Sequence, residues 1–208
     1  MTKRIQNRRK SRLHKGCISP IIEENEKGEG KMGMKKALIV IDMQNDFVTG
    51  SLGSKEAESI LPAVVEEIRR CREAGYELLA TLDTHEADYL STQEGKKLPV
   101  PHCVRGTEGH ALCDEVAKAL GGDCQTFEKV TFGSRKLAEY LALEQVEQVE
   151  LIGLCTDICV ISNALLIKAF LPEARIVVDA RCCAGVTPAS HQNALEAMRV
   201  CQIEVVGA

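Results

Sequence analysis

Tryptophan is absent from this 208-residue chain, and aromatic residues of all kinds make up only 3% of it. A pocket for a flat ring would therefore have few side chains to stack on that ring. The chain also lacks an apolar run long enough to cross a membrane, and its N-terminus lacks the apolar core of a signal peptide. The formal net charge is only -4. We therefore expect neither a nucleic-acid partner nor a membrane partner for the folded part.

A disulfide framework is also missing, although the chain has ten cysteines. They are scattered through apolar segments without a repeating spacing, as Cys71, Cys113 and Cys201 illustrate. This usage favours a reducing compartment, and we expect the protein in the cytoplasm. Hydrophobic residues make up 45% and charged residues 27%, which is ordinary for a globular protein. The length suits one domain with a sizeable core.

Residues 1–33 differ from the rest of the chain. They carry a basic block from Lys3 to Lys15, an acidic run at residues 23–26 and a glycine-rich stretch, with few residues to bury. We predict that residues 1–33 are a disordered charged extension and that the domain spans residues 34–208. The extension is open to two other interpretations: sequence upstream of a natural start near Met32 or Met34, or a basic arm that contacts nucleic acid.

From residue 36 onward, apolar strand-like runs alternate with segments of helical periodicity. The predicted strands are 37–41, 76–82, 123–127, 146–153, 175–180 and 203–206. The predicted helices are 59–74, with Pro62 in its first turn, and 111–120, 134–143, 158–170 and 187–198. Because the strands are apolar on both faces, the pattern predicts a doubly wound α/β domain: a mostly parallel six-stranded sheet with helices on both faces.

Residues capable of chemistry follow several of these strands. In a parallel sheet the carboxyl ends of the strands share one edge, and sites form there. The predicted strand ends carry Asp42, Asp83 with His85, and Lys129. Cys159 follows the fourth strand in the first turn of a helix that Thr156 or Asp157 would cap, a position that favours a thiolate. An ammonium can stabilise such a thiolate, and a carboxylate can move its proton to a leaving group.

Cys159 also has simpler interpretations. It is the type of residue that packs as a small apolar side chain beneath a sheet, and by type alone Cys155 competes with it as nucleophile. A redox pair of Cys155 and Cys159 lacks the two-residue spacing of thioredoxin-like motifs. A cysteine phosphatase would need an arginine shortly after the thiolate, and the residues that follow, 163–166, contain none.

Five fragments of the chain resemble the isochorismatase-like cysteine hydrolases, and within them the nicotinamidases: Ile41–Phe47, Asp83–His85, Pro101–Gly109, Phe127–Lys129 and Gly153–Val160. The resemblance covers residues 36–208. It implies the isochorismatase-like fold and a catalytic triad of Asp42 as general acid and base, Lys129 as electrostatic partner and Cys159 as nucleophile. It also implies an oxyanion hole from the backbone N–H groups of Cys155 and Cys159, with a cis peptide between Leu154 and Cys155.

The resemblance further implies a divalent metal ion bound by Asp83, His85 and His102, with zinc favoured over manganese or iron. Many relatives carry another histidine shortly after the Asp-x-His motif, where this chain has Asp88 and Tyr89. Glu94, later in the same loop, is our candidate for the fourth ligand. The alternative is that the two histidines only order the loop. Since tryptophan is absent, the substrate ring would be held by the remaining candidates, which are Phe47 and Phe132 with Leu98 or Val100.

The function implied by the resemblance is hydrolysis of a small amide through a thioester, with release of ammonia. Nicotinamide and nicotinate are the favoured substrate and product, and a small-molecule amide is the expected partner. A homo-oligomer is expected because homo-oligomers are common on this fold. The alternatives are a metal-independent isochorismatase-type hydrolase of another small substrate, and a non-catalytic interaction protein on the same fold.

Overall fold

The computed structural model describes residues 33–208. The predicted extension over residues 1–33 therefore lies, apart from Gly33, outside the described residues. Within the described range, no helix combines the length and the apolar character that crossing a membrane requires.

Six strands form one sheet in which every pair of neighbours is parallel. They are β1 (Lys36–Ile41), β2 (Glu77–Asp83), β3 (Gln125–Lys129), β4 (Gln148–Leu154), β5 (Arg175–Ala184) and β6 (Glu204–Val206). Their order across the sheet is β3-β2-β1-β4-β5-β6. The chain thus winds outward from β1 in one direction and from β4 in the other. This confirms the predicted doubly wound parallel sheet, and the reversal of strand order beside β1 and β4 creates the crevice where such folds bind ligands.

Helices cover both faces of the sheet. They are α1 (Asn45–Val48), α2 (Lys55–Glu73), α3 (Asp114–Leu120), α4 (Arg135–Leu143), α5 (Ile161–Phe170) and α6 (Pro188–Val200). The apolar residues of α2 and α3 pack in one core with one face of the sheet, and those of α4, α5 and α6 pack in a second core with the other. Two short 3-10 turns, Tyr89–Ser91 and Glu108–His110, interrupt the long loops after β2.

Helix α2 differs from its prediction at the N-terminus. It begins at Lys55 instead of Ser59, and Pro62 therefore lies inside the helix and not in its first turn. The Ser54 side chain caps the start by accepting a hydrogen bond from the Ala57 amide. The extra residues are exposed except for Ala57, so they add almost nothing to the apolar periodicity from which the start was predicted.

Strand β5 is longer than predicted and continues to Ala184. Its pairing with β4 shifts register between Leu151 and Gly153, so that Gly153 pairs with Cys183. Gly153 has a positive φ of 117°, and a Cβ there would lie 2.1 Å from the carbonyl oxygen of Ile41. Only glycine permits this approach, and it brings the end of β4 directly against the end of β1.

Candidate active site

Asp42 follows the last residue of β1 and is completely buried. Its φ of 47° lies in the left-handed region, which aspartate adopts more readily than most residues. The Thr81 hydroxyl donates a hydrogen bond of 2.6 Å to Asp42 Oδ1. The second oxygen, Oδ2, lies 2.7 Å from Lys129 Nζ but has no aligned hydrogen-bond donor among the described residues. A buried carboxylate oxygen without a hydrogen bond is placed to accept a proton.

Lys129 ends β3, and its ammonium is surrounded by three acidic groups. Besides Asp42, Nζ lies 3.2 Å from Asp83 Oδ1 and 3.5 Å from Cys159 Sγ. Burial lowers the pKa of Lys129, but Asp42, Cys159 and Asp83 more than offset this, and the net effect raises the pKa above its ordinary value. The ammonium therefore keeps its charge inside the site.

Cys159 lies within Thr156–Val160, a π-helical turn that leads directly into α5. The first-turn position predicted for Cys159 is therefore found, but neither Thr156 nor Asp157 caps the turn. The residue at the N-cap position is Cys155, whose side chain makes no capping hydrogen bond. The peptide between Leu154 and Cys155 is cis, as the resemblance implied. The amides of Ile158 and Val160 both donate to the Cys155 carbonyl, at 3.1 Å and 3.0 Å.

The thiol does not rest as the thiolate that its position at a helix start led us to expect. Burial and the neighbouring Asp42 raise the pKa of Cys159 well above its ordinary value, Lys129 opposes them, and Asp83 adds to the rise. Two carboxylates against one ammonium leave a net negative local charge that disfavours a third anion, the thiolate. For Asp42, too, burial and Asp83 raise the pKa against the opposing charge of Lys129, which makes its carboxylate a stronger base.

Four side chains gather beside this triad, and their ligand atoms lie within 4.8 Å of one another: Asp83, His85, Glu94 and His102. Asp83 Oδ2 lies 3.0 Å from His85 Nε2 and 3.4 Å from His102 Nε2. Glu94 Oε1 lies 3.8 Å from both of these nitrogens. Four ligands bound tetrahedrally to zinc lie about 3.4 Å apart, so the cluster needs only small adjustments to hold a divalent ion.

The surroundings of the cluster also suit a metal. His102 Nδ1 lies 2.8 Å from the Val100 carbonyl, which sets the tautomer and leaves Nε2 free as a ligand. Burial raises the pKa of Asp83, but the hydrogen bonds with His102 and His85 and the charge of Lys129 lower it by more. The net pKa lies below its ordinary value, so the carboxyl is ionised. The ring of Tyr89 packs against both His85 and His102. The donor set of two imidazoles and two carboxylates suits zinc, manganese or iron.

Two side chains at the start of α1, the buried Gln44 and the partly buried Asp46, hold this cluster in place. Gln44 accepts a hydrogen bond from the Asp83 amide and donates to its carbonyl, at 2.8 Å and 2.9 Å. Asp46 Oδ2 accepts a hydrogen bond of 2.7 Å from the Cys103 amide, next to His102. The sequence motif predicts that Asp46 ties the loop and is not the catalytic acid, and its contact with Cys103 agrees with that prediction. The contacts of Gln44 were recognisable only once the strands were brought together.

A cavity of about 460 Å³ opens between the thiol and the metal cluster. Its lining includes the three side chains predicted to hold a substrate ring, Phe47, Leu98 and Phe132, together with Glu94, His102 and Cys159. Val100, the alternative to Leu98, contributes its carbonyl to His102 and is not part of this lining. Leu98 and Phe132 are 38% and 43% exposed, so they form the outer wall. One space is thus bordered by predicted residues of all three kinds: Cys159, the candidate ligands Asp83, Glu94 and His102, and the three ring-contacting side chains. Asp42, Lys129 and His85 are not part of its lining and lie behind it, in contact with one another or with Cys159 and Asp83.

Sequence reasoning missed residues of two kinds: apolar side chains that line the cavity, and a buried amide that supports the turn carrying Cys159. Ile158 and Val186 both line it, and nothing in their residue types marks them as functional. Asn163 was also missed: its Nδ2 donates to the Cys159 carbonyl at 2.8 Å and to the Phe132 carbonyl at 3.0 Å. A completely buried asparagine four residues after the cysteine was the available signal, because a buried amide needs partners.

Relatives of known activity share both sequence and fold with this chain. The nicotinamidase/pyrazinamidase of Mycobacterium tuberculosis is 31% identical over 185 residues, which cover 82% of this chain and 98% of the relative. The pyrazinamidase of Pyrococcus horikoshii, solved in complex with zinc, matches with a TM-score of 0.74 and 30% identity over 84% of this chain and 99% of its own. The nicotinamidase/pyrazinamidase structure from Bacillus subtilis gives a TM-score of 0.74 and 29% identity, covering 83% and 99% of the two chains.

The match to a family extends over the whole described sheet. Residues 36–208 match the Isochorismatase domain, which is the extent of the resemblance inferred from the motifs. The chain therefore belongs to the isochorismatase family.

Proposed function

We propose that the protein is a cysteine-dependent amidohydrolase that converts nicotinamide to nicotinate and ammonia. One observation carries this proposal: Cys159 lines the same 460 Å³ cavity as Asp83, Glu94 and His102, and its thiol lies 3.5 Å from Lys129, which pairs with Asp42 at 2.7 Å. The named activities of the relatives from Mycobacterium tuberculosis and Bacillus subtilis support the choice of substrate. The apolar side walls of the cavity suit a flat ring.

In the proposed reaction Asp42 Oδ2 accepts the thiol proton as Cys159 Sγ attacks the carboxamide carbon. This route suits a thiol that is protonated at rest, because the proton leaves only as the new bond forms. The developing oxyanion is stabilised by the N–H groups of Cys155 and Cys159. Asp42 then returns the proton to the leaving nitrogen, and ammonia departs. Asp42 next takes a proton from water, and the resulting hydroxide attacks the thioester carbon. The C–S bond breaks, the sulfur recovers the proton from Asp42, and the acid leaves as nicotinate after losing its own proton to solvent.

Lys129 supports this sequence through its fixed positive charge. It stabilises negative charge on Sγ during attack and keeps the Asp42 carboxylate ionised between proton transfers. The ring is held by Phe47, Leu98 and Phe132, which position the carboxamide toward Cys159. Asp83, His85, Glu94 and His102 would hold the divalent ion, which when bound supplies a positive centre for the ring nitrogen. We propose zinc, supported by the donor set and by the zinc-bound relative.

Three wider features complete the proposal. Nine cysteines of the described residues are free thiols, which supports a reducing, cytoplasmic environment. The small negative net charge of -4 supports a protein without nucleic-acid or membrane partners. We also propose a homo-oligomer, because homo-oligomers are common among proteins with this fold.

Ammonia release from a panel of nicotinamide, benzamide and small aliphatic amides, with and without a chelator, tests the proposal. We expect nicotinamide to be the best substrate and its turnover to depend on the metal. A protein that releases no ammonia from any amide would overturn the proposal. Turnover of another small substrate that a chelator leaves unchanged would support the metal-independent isochorismatase-type alternative.

A further inference from the structure

Thr156 is completely buried at the base of the π-helical turn. Its hydroxyl oxygen lies 2.8 Å from Nδ1 of His191, a residue of α6 that is half-buried. Thr156 directly follows Cys155 and stands three residues before Cys159. The two amides proposed to form the oxyanion hole therefore flank it in the chain, and its side chain is anchored in a different element.

A second contact ties the same turn to the segment before α6. The Asp157 carboxylate accepts hydrogen bonds from the Val186 amide, at 3.1 Å to Oδ1 and 3.3 Å to Oδ2. Gly185 packs so closely on His191 that a Cβ at Gly185 would lie 2.9 Å from the His191 backbone and Cβ. The segment from Gly185 to His191 is thus held rigidly beside the turn, and its contacts determine where the turn sits.

The turn needs such an external support. It has no side-chain cap of its own, since Thr156 and Asp157 both direct their side chains to the neighbouring segment. An oxyanion hole works only when its N–H groups point at the developing charge before the reaction begins. A displacement of about 1 Å in such a group can cost roughly 100-fold in rate.

We propose that His191 is a positioning residue for the oxyanion hole, acting through its hydrogen bond to Thr156. The proposal rests on the amidohydrolase function proposed above. His191 does not line the cavity with Cys159, so it acts through Thr156 and not on the substrate.

The charge state of His191 agrees with this role. Burial lowers the pKa of His191, and the facing carboxylate of Asp157 opposes the change without reversing it. The imidazole is therefore neutral at neutral pH. A neutral ring contributes little field at the oxyanion, so its effect must come from geometry.

Three measurements on variants of the full-length enzyme separate a positioning role from a merely structural one. His191→Leu and Thr156→Val each remove the hydrogen bond, whereas His191→Asn and Thr156→Ser retain polar groups that can restore it. We expect His191→Leu and Thr156→Val to lower kcat by roughly 10- to 100-fold with little change in KM, less than the loss of about 10²–10³ seen when an oxyanion donor itself is removed. The double variant should be no worse than either single variant, because the two residues form one interaction.

The second measurement uses an aldehyde in place of the amide. Pyridine-3-carboxaldehyde and the Cys159 thiol add to form a thiohemiacetal. The C–S bond forms as the S–H bond and the carbonyl π bond break. The thiol proton passes either to Asp42, which leaves an alkoxide that the hole stabilises, or to the carbonyl oxygen, which becomes a hydroxyl. We expect its affinity for His191→Leu to fall by about the same factor as kcat. The third measurement, alkylation of Cys159 by iodoacetamide, produces no oxyanion at this site, so its rate should stay within about twofold of the wild type.

Gln192→Leu is the matched control. Gln192 is the next residue of α6 and is exposed, and this variant should match the wild type in all three measurements. Metal content and melting temperature are recorded for every variant, and if His191→Leu does not fold, Thr156→Val carries the test. His191→Asn should recover most of the lost kcat.

The outcomes distinguish this inference from the function on which it rests. If the wild type neither releases ammonia nor binds the aldehyde, the proposed amidohydrolase is wrong. If the wild type does both, and His191→Leu and Thr156→Val keep the wild-type kcat and aldehyde affinity, only the positioning role is overturned. Equal losses in alkylation, aldehyde binding and metal content would also overturn it, since they would indicate general damage to the site.

Discussion

Lys129 Nζ lies 3.2 Å from Oδ1 of Asp83, while the other oxygen of Asp83 contacts His85 and His102. One buried carboxylate thus joins the triad to the metal cluster. The two sets of residues were predicted separately, as a catalytic group and a ligand group. Their direct contact means that a change in either set alters the electrostatic balance of the other.

Cys159→Ala should abolish turnover while the fold is retained, because it removes the nucleophile and little volume. We expect kcat to fall by about 10⁴-fold or more, as for loss of a nucleophile in other hydrolases. Cys155→Ala is the matched control and should retain substantial activity, since only its backbone N–H takes part. Ammonia release and circular dichroism measure the two effects. An active Cys159→Ala together with an inactive Cys155→Ala would reverse the assignment.

Lys129→Met should slow alkylation of Cys159 by iodoacetamide near neutral pH. The ammonium lowers the pKa of the thiol, so removing it leaves less thiolate, by about tenfold for each unit by which the pKa rises. Lys136→Met, which changes an exposed lysine of α4, should react at the wild-type rate. Mass spectrometry of the modified cysteine follows both reactions. An unchanged rate in Lys129→Met would show that Lys129 is not the electrostatic partner of the thiol.

Metal removal should reduce turnover of nicotinamide much more than turnover of benzamide, which has no ring nitrogen. The reason is that the proposed role of the ion is to position that nitrogen. Glu94→Gln should weaken metal binding, by about 10-fold or more, while Glu86→Gln, in the same loop but paired with Arg105, should not. Elemental analysis and a chelator titration on both substrates measure these effects. Equal losses on the two amides would indicate a structural metal.

Glu150 should make the stability of the protein depend on pH. Burial and the neighbouring Glu67 raise the pKa of Glu150 to about 7, although Arg70 opposes them. The folded protein therefore keeps this proton where the unfolded chain has lost it. The resulting stabilisation is fully present below the unfolded value of about 4.5 and is lost as the pH rises through about 7.

Urea unfolding of the wild type and Glu150→Gln measures this effect. We expect the wild type to lose on the order of 2 kcal/mol relative to Glu150→Gln between about pH 5 and pH 8, since one pKa unit corresponds to about 1.4 kcal/mol. Glu66→Gln removes an exposed carboxylate of α2, next to Glu67, and should keep the wild-type slope. Parallel stability curves for the wild type and Glu150→Gln would contradict the prediction.

The hydrophobic pattern of the sequence predicts which strands and helices form, but it predicts less well where each of them begins and ends. The apolar runs predicted all six strands. Strand β5, however, continues past its predicted end at Ala180, because a register shift lets its later residues pair with β4 beyond the apolar run. Helix α2 began earlier than predicted because Ser54 supplies a cap before the periodic residues begin. Such ends depend on hydrogen bonds that hydrophobic periodicity does not report.

The sequence by itself determined the parallel α/β fold, since a sheet whose strands are apolar on both faces needs helices packed on both faces. It also determined which residues reach the carboxyl edge of that sheet. The family resemblance also supplied the candidate ligand set, with Glu94 as the candidate fourth ligand. Only the tertiary structure decided the charge state of Cys159, because a pKa depends on the burial of the thiol and on charges delivered by three separate strands. The contacts of Asp83 with Lys129 and of Thr156 with His191 were likewise decided there, since each joins residues far apart in the chain.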